Sequence, residues 1–306
     1  MTETTRVTLD TDPGADDAVA LLWLAALHQA GELHLDGVTT VGGNVGIDDT
    51  TENAARLLHA VGLDALPLGR GAAAGGEHAR NVHGSDGLGG LRDRLPRAPA
   101  NRAIDDASIV LNRATSDSDV IVAIGPLTNL AACQDLSARH PRAVIMGGSL
   151  SDGNITRTAE FNVFHDPDSW SQTLGRVRAE IVTLDVTRRV RITARDVAAL
   201  TWPGAVGQFL DALFRHMIER GHHRTGVAEF LVHDAVAVAA VAYPEVITFR
   251  DAKVRVVVTG DAKGQVIEDN AGTRVRIAED VDERALVARL LGDLCRYCES
   301  DSARSE

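Results

Sequence analysis

"RVTLDTDPGADDAVALLWLAALHQAG", residues 6–31, decides the fold. Its first five residues, "RVTLD" (6–10), form a short β-type run. "DDAVALLWLAALHQAG" (16–31) is predicted to be a helix so apolar that it is largely buried, stopped at Gly31. A strand that passes through a short acidic turn into a buried helix opens a βα unit, and the later segments repeat the pattern. "LHLDGVTTVGG" (33–43) is the next predicted strand. "DDTTENAARLLHAVG" (48–62) is a predicted helix, with Asp49 as N-cap and Glu52 three residues on. "SDVIVAIGPL" (118–127) is a continuous apolar strand followed by a turn, "LTNLAACQDLSARHP" (127–141) a helix, and "RAVIMGG" (142–148) another strand. Strands apolar on both faces, alternating with helices, predict an α/β fold: a single domain with a mainly parallel central β-sheet flanked by helices. Ligands of such sheets bind beyond the carboxyl ends of the strands. The four aspartates of 10–17, "VGGN", "IGPLTN" and "MGGS" all fall at such ends.

The acidic turn poses a problem of charge. Asp10 and Asp12 lie two apart at a strand end, so their side chains can share a face. Pro13 keeps Asp12 extended, Gly14 permits a tight turn, and Asp16 and Asp17 open the next helix. Carboxylates this close repel one another, and their pKa values rise unless something neutralises them. A helix N-terminus favours a carboxylate by only ~0.3–1 kcal/mol. A hard divalent cation, Ca²⁺ or Mg²⁺, is the natural neutraliser because it selects oxygen ligands. The plainer alternative is a solvated acidic turn with Asp16 capping the helix.

Composition narrows the partners. The chain has 306 residues, 44% of them hydrophobic and 24% charged, enough for a sizeable core. Its 31 basic and 43 acidic residues give a net charge of −12, which argues against nucleic acid and against an anionic membrane surface. A neutral small molecule is the better-suited substrate. No run of 18 apolar residues suggests a membrane span, and "MTETTRVTLD" lacks the features of a signal peptide, so a cytoplasmic protein is expected. Three cysteines make no disulfide framework. Cys295 and Cys298 form a C-x-x-C within a predicted amphipathic helix, with no second pair, and Cys295 is read as core filler. Residues 69–102, rich in Gly, Ala and Arg, are predicted to be a long mobile loop and a candidate lid. Residues 219–229, "ERGHHRTGVAE", are predicted to be a second loop, and the polar tail 300–306 to fray. No linker divides 1–306 into two domains.

"DTDPGADD" (10–17) resembles the D-x-D-P-G-x-D-D opening of the inosine–uridine nucleoside hydrolase family. "VGGN" ending at Asn44, "IGPLTN" (124–129), "MGGS" (146–149), "GNITRTAEFN" (153–162) and "VHDA" (232–235) match later blocks of that family in the same order. The resemblance implies a Ca²⁺ held by Asp12, Asp17, the backbone carbonyl of Ile124 and Asp234, with water and the ribose 2′ and 3′ hydroxyls completing the sphere. It leaves Asp16 for the 2′-hydroxyl and Asp10 as a supporting group that orients the others. It also implies a homodimer or homotetramer.

Breaking an N-ribosidic bond builds positive charge on the ribose while the base departs with negative charge. Such a site needs an activated water, oxygen dipoles around the sugar and a proton for the base. By resemblance, Asp12 takes the proton of the attacking water and Asn44 lies beside it. Asn154 and Glu160 bind the 5′-hydroxyl, Asn162 lies near the 2′ and 3′ side, Asp234 also binds the substrate, and Met146 packs against the ribose. His233 would protonate the leaving base. His83, in the candidate lid, is placed to face the base or else is a solvated loop histidine. His222 and His223, in the second loop, read best as an exposed pair, although that region contacts the base in relatives. Two rivals stand beside this reading. A haloacid dehalogenase-type phosphatase shares a D-x-D strand end, but Pro13 and Gly14 suit it poorly and no strand-end lysine follows. A non-catalytic, Ca²⁺-stabilised sugar-binding protein would have little use for Asp12, Asn154, Glu160, Asn162 and His233 together.

Overall fold

The computed structural model describes residues 4–73, 80–113 and 119–305. The amino-terminal strands are β1 (Arg6–Thr11), β2 (His34–Thr40), β3 (Leu68–Arg70) and β4 (Asp105–Asp106); then come β5 (Asp119–Ala123), β6 (Arg142–Met146) and β7 (Arg178–Val182). β8 (Arg191–Thr193) and β9 (Glu229–Leu231) make a separate antiparallel ribbon. The last strands are β10 (Ile247–Val256), β11 (Val266–Glu268) and β12 (Thr273–Val281). Among the described residues one ten-stranded sheet runs in the order β11-β10-β12-β7-β6-β5-β1-β2-β3-β4. From β4 to β12 every pair is parallel, and β10 alone runs against its neighbours.

Period-two alternation divides the strand side chains between two cores. Val120 and Val122 of β5 pack on one face with Leu9, while Ile121 and Ala123 pack on the other with Ile145 and Ile181. The first face is covered by α1 (Ala15–Gln29), α2 (Ile47–Ala60) and the helices Gly204–Thr225, His233–Ala242 and Glu283–Ser305. The second is covered by Thr128–Ala132 and Pro167–Leu174. None of the helices is long and apolar enough to cross a membrane, among the described residues.

The chain lays β2, β3 and β4 to one side of β1, then returns to lay β5, β6 and β7 on the other. The strand order therefore reverses between β1 and β5, and their carboxyl ends open a crevice where α/β sheets bind ligands. The acidic turn leaves β1 at this point and Ile124 leaves β5, tied to it by a bond from Ile124 N to Asp10 O of 2.8 Å.

Several local expectations are corrected. α2 is capped by Gly46, not Asp49; Asp48 and Asp49 sit in its first turn, where the helix dipole favours them. The helix expected over 127–141 is split into Thr128–Ala132 and Leu136–Arg139. Arg176 donates to the carbonyls of Ala131 and Cys133, both at 2.6 Å, and takes the acceptors that a continuous helix would use. The expected 219–229 loop is mostly helix, since Gly204–Thr225 runs on to a left-handed Gly226. The 300–306 tail continues the helix Glu283–Ser305, with Glu306 outside the described residues. It is Cys298 that lies in the core, while Cys295 is half-buried. Of the expected 69–102 loop, 69–70 belong to β3 and 74–79 lie outside the described residues. The remainder carries a short helix, Arg80–His83, and a 3-10 turn, Arg92–Arg94, and is fastened: Asp86 accepts from the N–H groups of Leu88, Gly90 and Arg92, and Arg92 pairs with Asp49.

Candidate active site

Asp12 follows β1 and is wholly buried. Its Oδ2 accepts the Asn44 backbone N–H at 2.7 Å. The Asn44 amide donates to Asp12 O at 3.1 Å and to Asp17 Oδ2 at 2.9 Å, linking the two aspartates. Backbone crowds the carboxylate: a Cβ on Gly43 would lie 2.1 Å from Oδ2, and one on Gly125 2.6 Å from Oδ1. The glycines of "VGGN" and "IGPLTN" are thus explained by close approach to one side chain. Asp12 Oδ1 is buried and accepts no hydrogen bond from the described residues.

Asp17 closes the turn that starts α1. Its Oδ1 accepts from Thr11 Oγ1 at 2.7 Å and its Oδ2 from Gly14 N at 3.0 Å. Oxygens of Asp16, Asp17 and Asp234 lie within 4.8 Å of one another. Burial pushes Asp16 up to about 7, and the charge of Asp17 adds to this. Burial, then the Asp17 charge, holds Asp12 well above the usual carboxylate range; burial and the charges of Asp16, Asp17 and Asp12 do the same to Asp234. Asp16 and Asp234 are close enough to hydrogen-bond one another. A set of hard oxygen donors, one of them orphaned, in a site that penalises bare negative charge, suits a hard divalent cation. The geometric trio includes Asp16, which the sequence reading kept for the sugar, and does not include Asp12. Asp10 stands apart: its Oδ1 accepts from Thr39 Oγ1 at 2.5 Å and Asn129 Nδ2 at 2.8 Å, bracing β2 and the helix Thr128–Ala132 instead of the other aspartates. Burial raises it to about 7.

A cavity of about 530 Å³ lies above the trio, within the range that holds small-molecule ligands. Asp16, Asp17, Asn44, His83, Ile124, Met146, Asn154, Glu160, Asn162, His233 and Asp234 all line it, so every proposed site residue except Asp12 reaches one pocket. Glu160 is buried. It caps the helix Phe161–His165, with Oε1 accepting from Asn162 N at 2.9 Å and Oε2 from Gly148 N at 2.9 Å and Val163 N at 3.2 Å. Asn154 Oδ1 accepts from Phe161 N at 2.9 Å. Asn162 Nδ2 donates to Ile124 O at 2.9 Å, and that carbonyl keeps a second lone pair.

Of the three histidines that line the pocket, His83 and His233 are the two expected there from the sequence. His83 Nδ1 accepts the Ala15 N–H at 3.1 Å, which sets its proton on Nε2. Burial, then Arg220 and His216, lowers its pKa to about 4. His233 opens the helix His233–Ala242, and its Nδ1 lies 2.7 Å from Thr187 Oγ1. Burial lowers it to about 4, with the positive charges of Arg188, Arg224 and His83 adding to the effect.

The family model for the inosine-uridine preferring nucleoside hydrolases matches residues 7–288. The chain belongs to that family. Among curated relatives, the non-specific ribonucleoside hydrolase RihC of Escherichia coli O1:K1 is 39% identical over 295 residues, 90% of this chain and 93% of RihC. Among solved structures, the plant nucleoside hydrolase PpNRh1 superposes with a TM-score of 0.86 at 26% identity, over 96% of this chain and 99% of that one. The purine-preferring ribonucleoside hydrolase of Gardnerella vaginalis shares the fold, with a TM-score of 0.87 at 22% identity over 96% and 99%. The chain is thus an N-glycosyl hydrolase by family, and the phosphatase alternative falls away.

The wall opposite the aspartates was missed in the sequence. His216, Met217, Arg220, Gly221 and Arg224 line the pocket from the helix Gly204–Thr225, whereas His222 and His223 are exposed. The signal was present: positions 216, 217, 220, 221 and 224 follow helical spacing and share one face, with 222 and 223 on another. Phe230 of β9, which carried no motif, and Ile155, inside "GNITRTAEFN" but given no role, also line the pocket.

Proposed function

We propose that this nucleoside hydrolase uses Ca²⁺ to cleave the N-glycosidic bond of ribonucleosides, giving ribose and a free purine or pyrimidine base for nucleoside salvage. The observation that carries the proposal is the gathering of Asp16, Asp17 and Asp234 within 4.8 Å, at the sheet's switch point, under a pocket walled by Asn154, Glu160, Asn162 and His233. Asp12, Asp17, Asp234 and the Ile124 carbonyl would hold the ion. When bound, it supplies the positive field that acidifies a water molecule and offsets the carboxylate charges.

The chain's own groups do the rest. Asp12, held by Asn44 and crowded by Gly43 and Gly125, accepts the proton of the attacking water. Asp16 takes the ribose 2′-hydroxyl. Asn154, whose Oδ1 is already engaged, offers its amide N–H to the 5′-hydroxyl beside Glu160. Asn162, fixed to Ile124 O, turns toward the 2′ and 3′ side, and Met146 packs against the sugar. His233 gives a proton to the departing base, and His83 presents Nε2–H to it from the other wall. The enzyme works in the cytoplasm as a homodimer or homotetramer.

A panel of purine and pyrimidine ribonucleosides, with their 2′-deoxy forms, scored for reducing sugar with and without chelator, tests the proposal. Ribose release from ribonucleosides and poor turnover of deoxynucleosides are expected, because the missing hydroxyl leaves buried polar groups unpaired. Equal rates for uridine and deoxyuridine would contradict the assignment of Asp16.

A further inference from the structure

The segment Leu184–Thr187 and the following Arg188 sit beyond β7, outside every motif that carried the family resemblance, yet they touch two walls of the pocket. Leu184 N bonds Gly148 O at 2.9 Å. Asp185 Oδ2 accepts from Leu150 N at 2.8 Å. Arg188 donates to Asp152 O and Gly153 O, both at 2.7 Å, just before Asn154. The segment is therefore anchored to the loop that carries the sugar-binding asparagine. Thr187, fully buried at its end, directs its hydroxyl to His233 Nδ1 at 2.7 Å.

A histidine ring with one nitrogen tied has its plane and its other nitrogen fixed. His233 lines the pocket, and no described residue bonds its Nε2. We propose that Thr187 is a positioning residue that holds the His233 ring by Nδ1 and so aims Nε2 at the departing base. The proposal rests on the reading of His233 as proton donor. A hydroxyl suits the task because it both donates and accepts. It accepts from Nδ1–H in the ring that gives its Nε2 proton to the base, and by rotating it donates to a bare Nδ1 when the proton sits on Nε2. The base leaves with the electron pair of the C–N bond and receives that proton, while the water's hydroxide joins the ribose. A carboxylate in place of Thr187 would add a charge to the site; the hydroxyl adds none.

The test compares Thr187→Val, Thr187→Ser, His233→Ala and the Thr187→Val/His233→Ala double variant on inosine and on p-nitrophenyl riboside, whose leaving group needs no proton. Calcium content and Tm are measured alongside. Thr187→Val is expected to lower kcat on inosine by ~10-fold or more, the scale on which supporting groups act, with KM within about twofold and far less change on p-nitrophenyl riboside. Thr187→Ser should restore the inosine rate. In the His233→Ala background Thr187→Val should add nothing, because the two act as one unit. If His233→Ala is selective for inosine while Thr187→Val matches the wild type, or slows both substrates alike and adds its effect to that of His233→Ala, Thr187 does not position the donor. If His233→Ala itself slows both substrates equally with calcium retained, the proton-donor reading fails and takes the proposal with it.

Discussion

The floor of the pocket and its far wall are built in different ways. The floor is a strand end: Asp12, Asp16 and Asp17 lie within six positions of one turn, and Asn44 and Ile124 leave the two neighbouring strands. Connectivity and sheet register place these groups, so little can shift without breaking the sheet. The wall is one face of the helix Gly204–Thr225, whose Arg220, Arg224 and His216 reach the pocket by helical spacing alone. Side chains on such a face can change identity without disturbing the fold. Under the proposed function, the floor serves the chemistry of the sugar and the wall the choice of base.

The largest effect should come from the floor. Asp12→Asn removes the proposed proton acceptor and one proposed ligand together, and is expected to cut kcat by ~10³-fold or more on every nucleoside. Steady-state rates on inosine and uridine, with metal content, check this; a loss on one base and not the other would break the division of labour. Gly43→Ala forces a Cβ to within 2.1 Å of Asp12 Oδ2. It should displace the carboxylate and cost ~10²-fold in kcat, as misplacement of a reacting group does. A smaller effect is expected from the wall. Arg220→Ala or Arg224→Ala should change KM by ~10-fold and unequally between purine and pyrimidine nucleosides, on the scale of one lost contact to a ligand. His222→Ala and His223→Ala, on the exposed face, should stay within about twofold. A parallel nucleoside panel separates these outcomes.

The smallest expected effect is on stability. In metal-free protein Asp10 and Asp16 titrate near 7, against 3.8 for the ordinary carboxyl. The native state therefore holds protons that the unfolded chain has lost, so these groups weaken the fold as pH rises toward and past 7. His83 and His233, lowered from 6.5 to about 4, act in the opposite sense, but only between those two values. Above pH 6.5 the carboxylates are left to dominate. The Tm of chelated protein should fall by several degrees between pH 6.5 and pH 8, and saturating Ca²⁺ should flatten the slope. A Tm that rises over that window without metal would contradict the buried-charge account.

The same contrast explains what was legible in the sequence. β1, β2, β5 and β6 announced themselves because both faces of each are buried, and "DTDPGADD" names its own turn. The wall was misread because Gly221, the His222–His223 pair and Gly226 look like loop residues. Gly221 is in fact helical: a Cβ there would lie 1.8 Å from Glu229 O, so it lets the helix press against β9. A glycine required by packing and one required by a turn look alike in sequence. Glu160 was placed in the site, but its bond from Gly148 N was invisible, since a partner 12 residues away has no local pattern. Thr187 was missed for the same reason, as its partner lies 46 residues away.

The central claim is that the carboxylates at the end of β1 and at Asp234 hold a cation without which the bond is not broken. It is tested most directly by elemental analysis of calcium per chain alongside kcat on uridine, through one cycle of stripping and reloading. Activity should fall in proportion to calcium, vanish when none remains, and return when Ca²⁺ is restored. Full activity in protein shown to be metal-free would contradict the account.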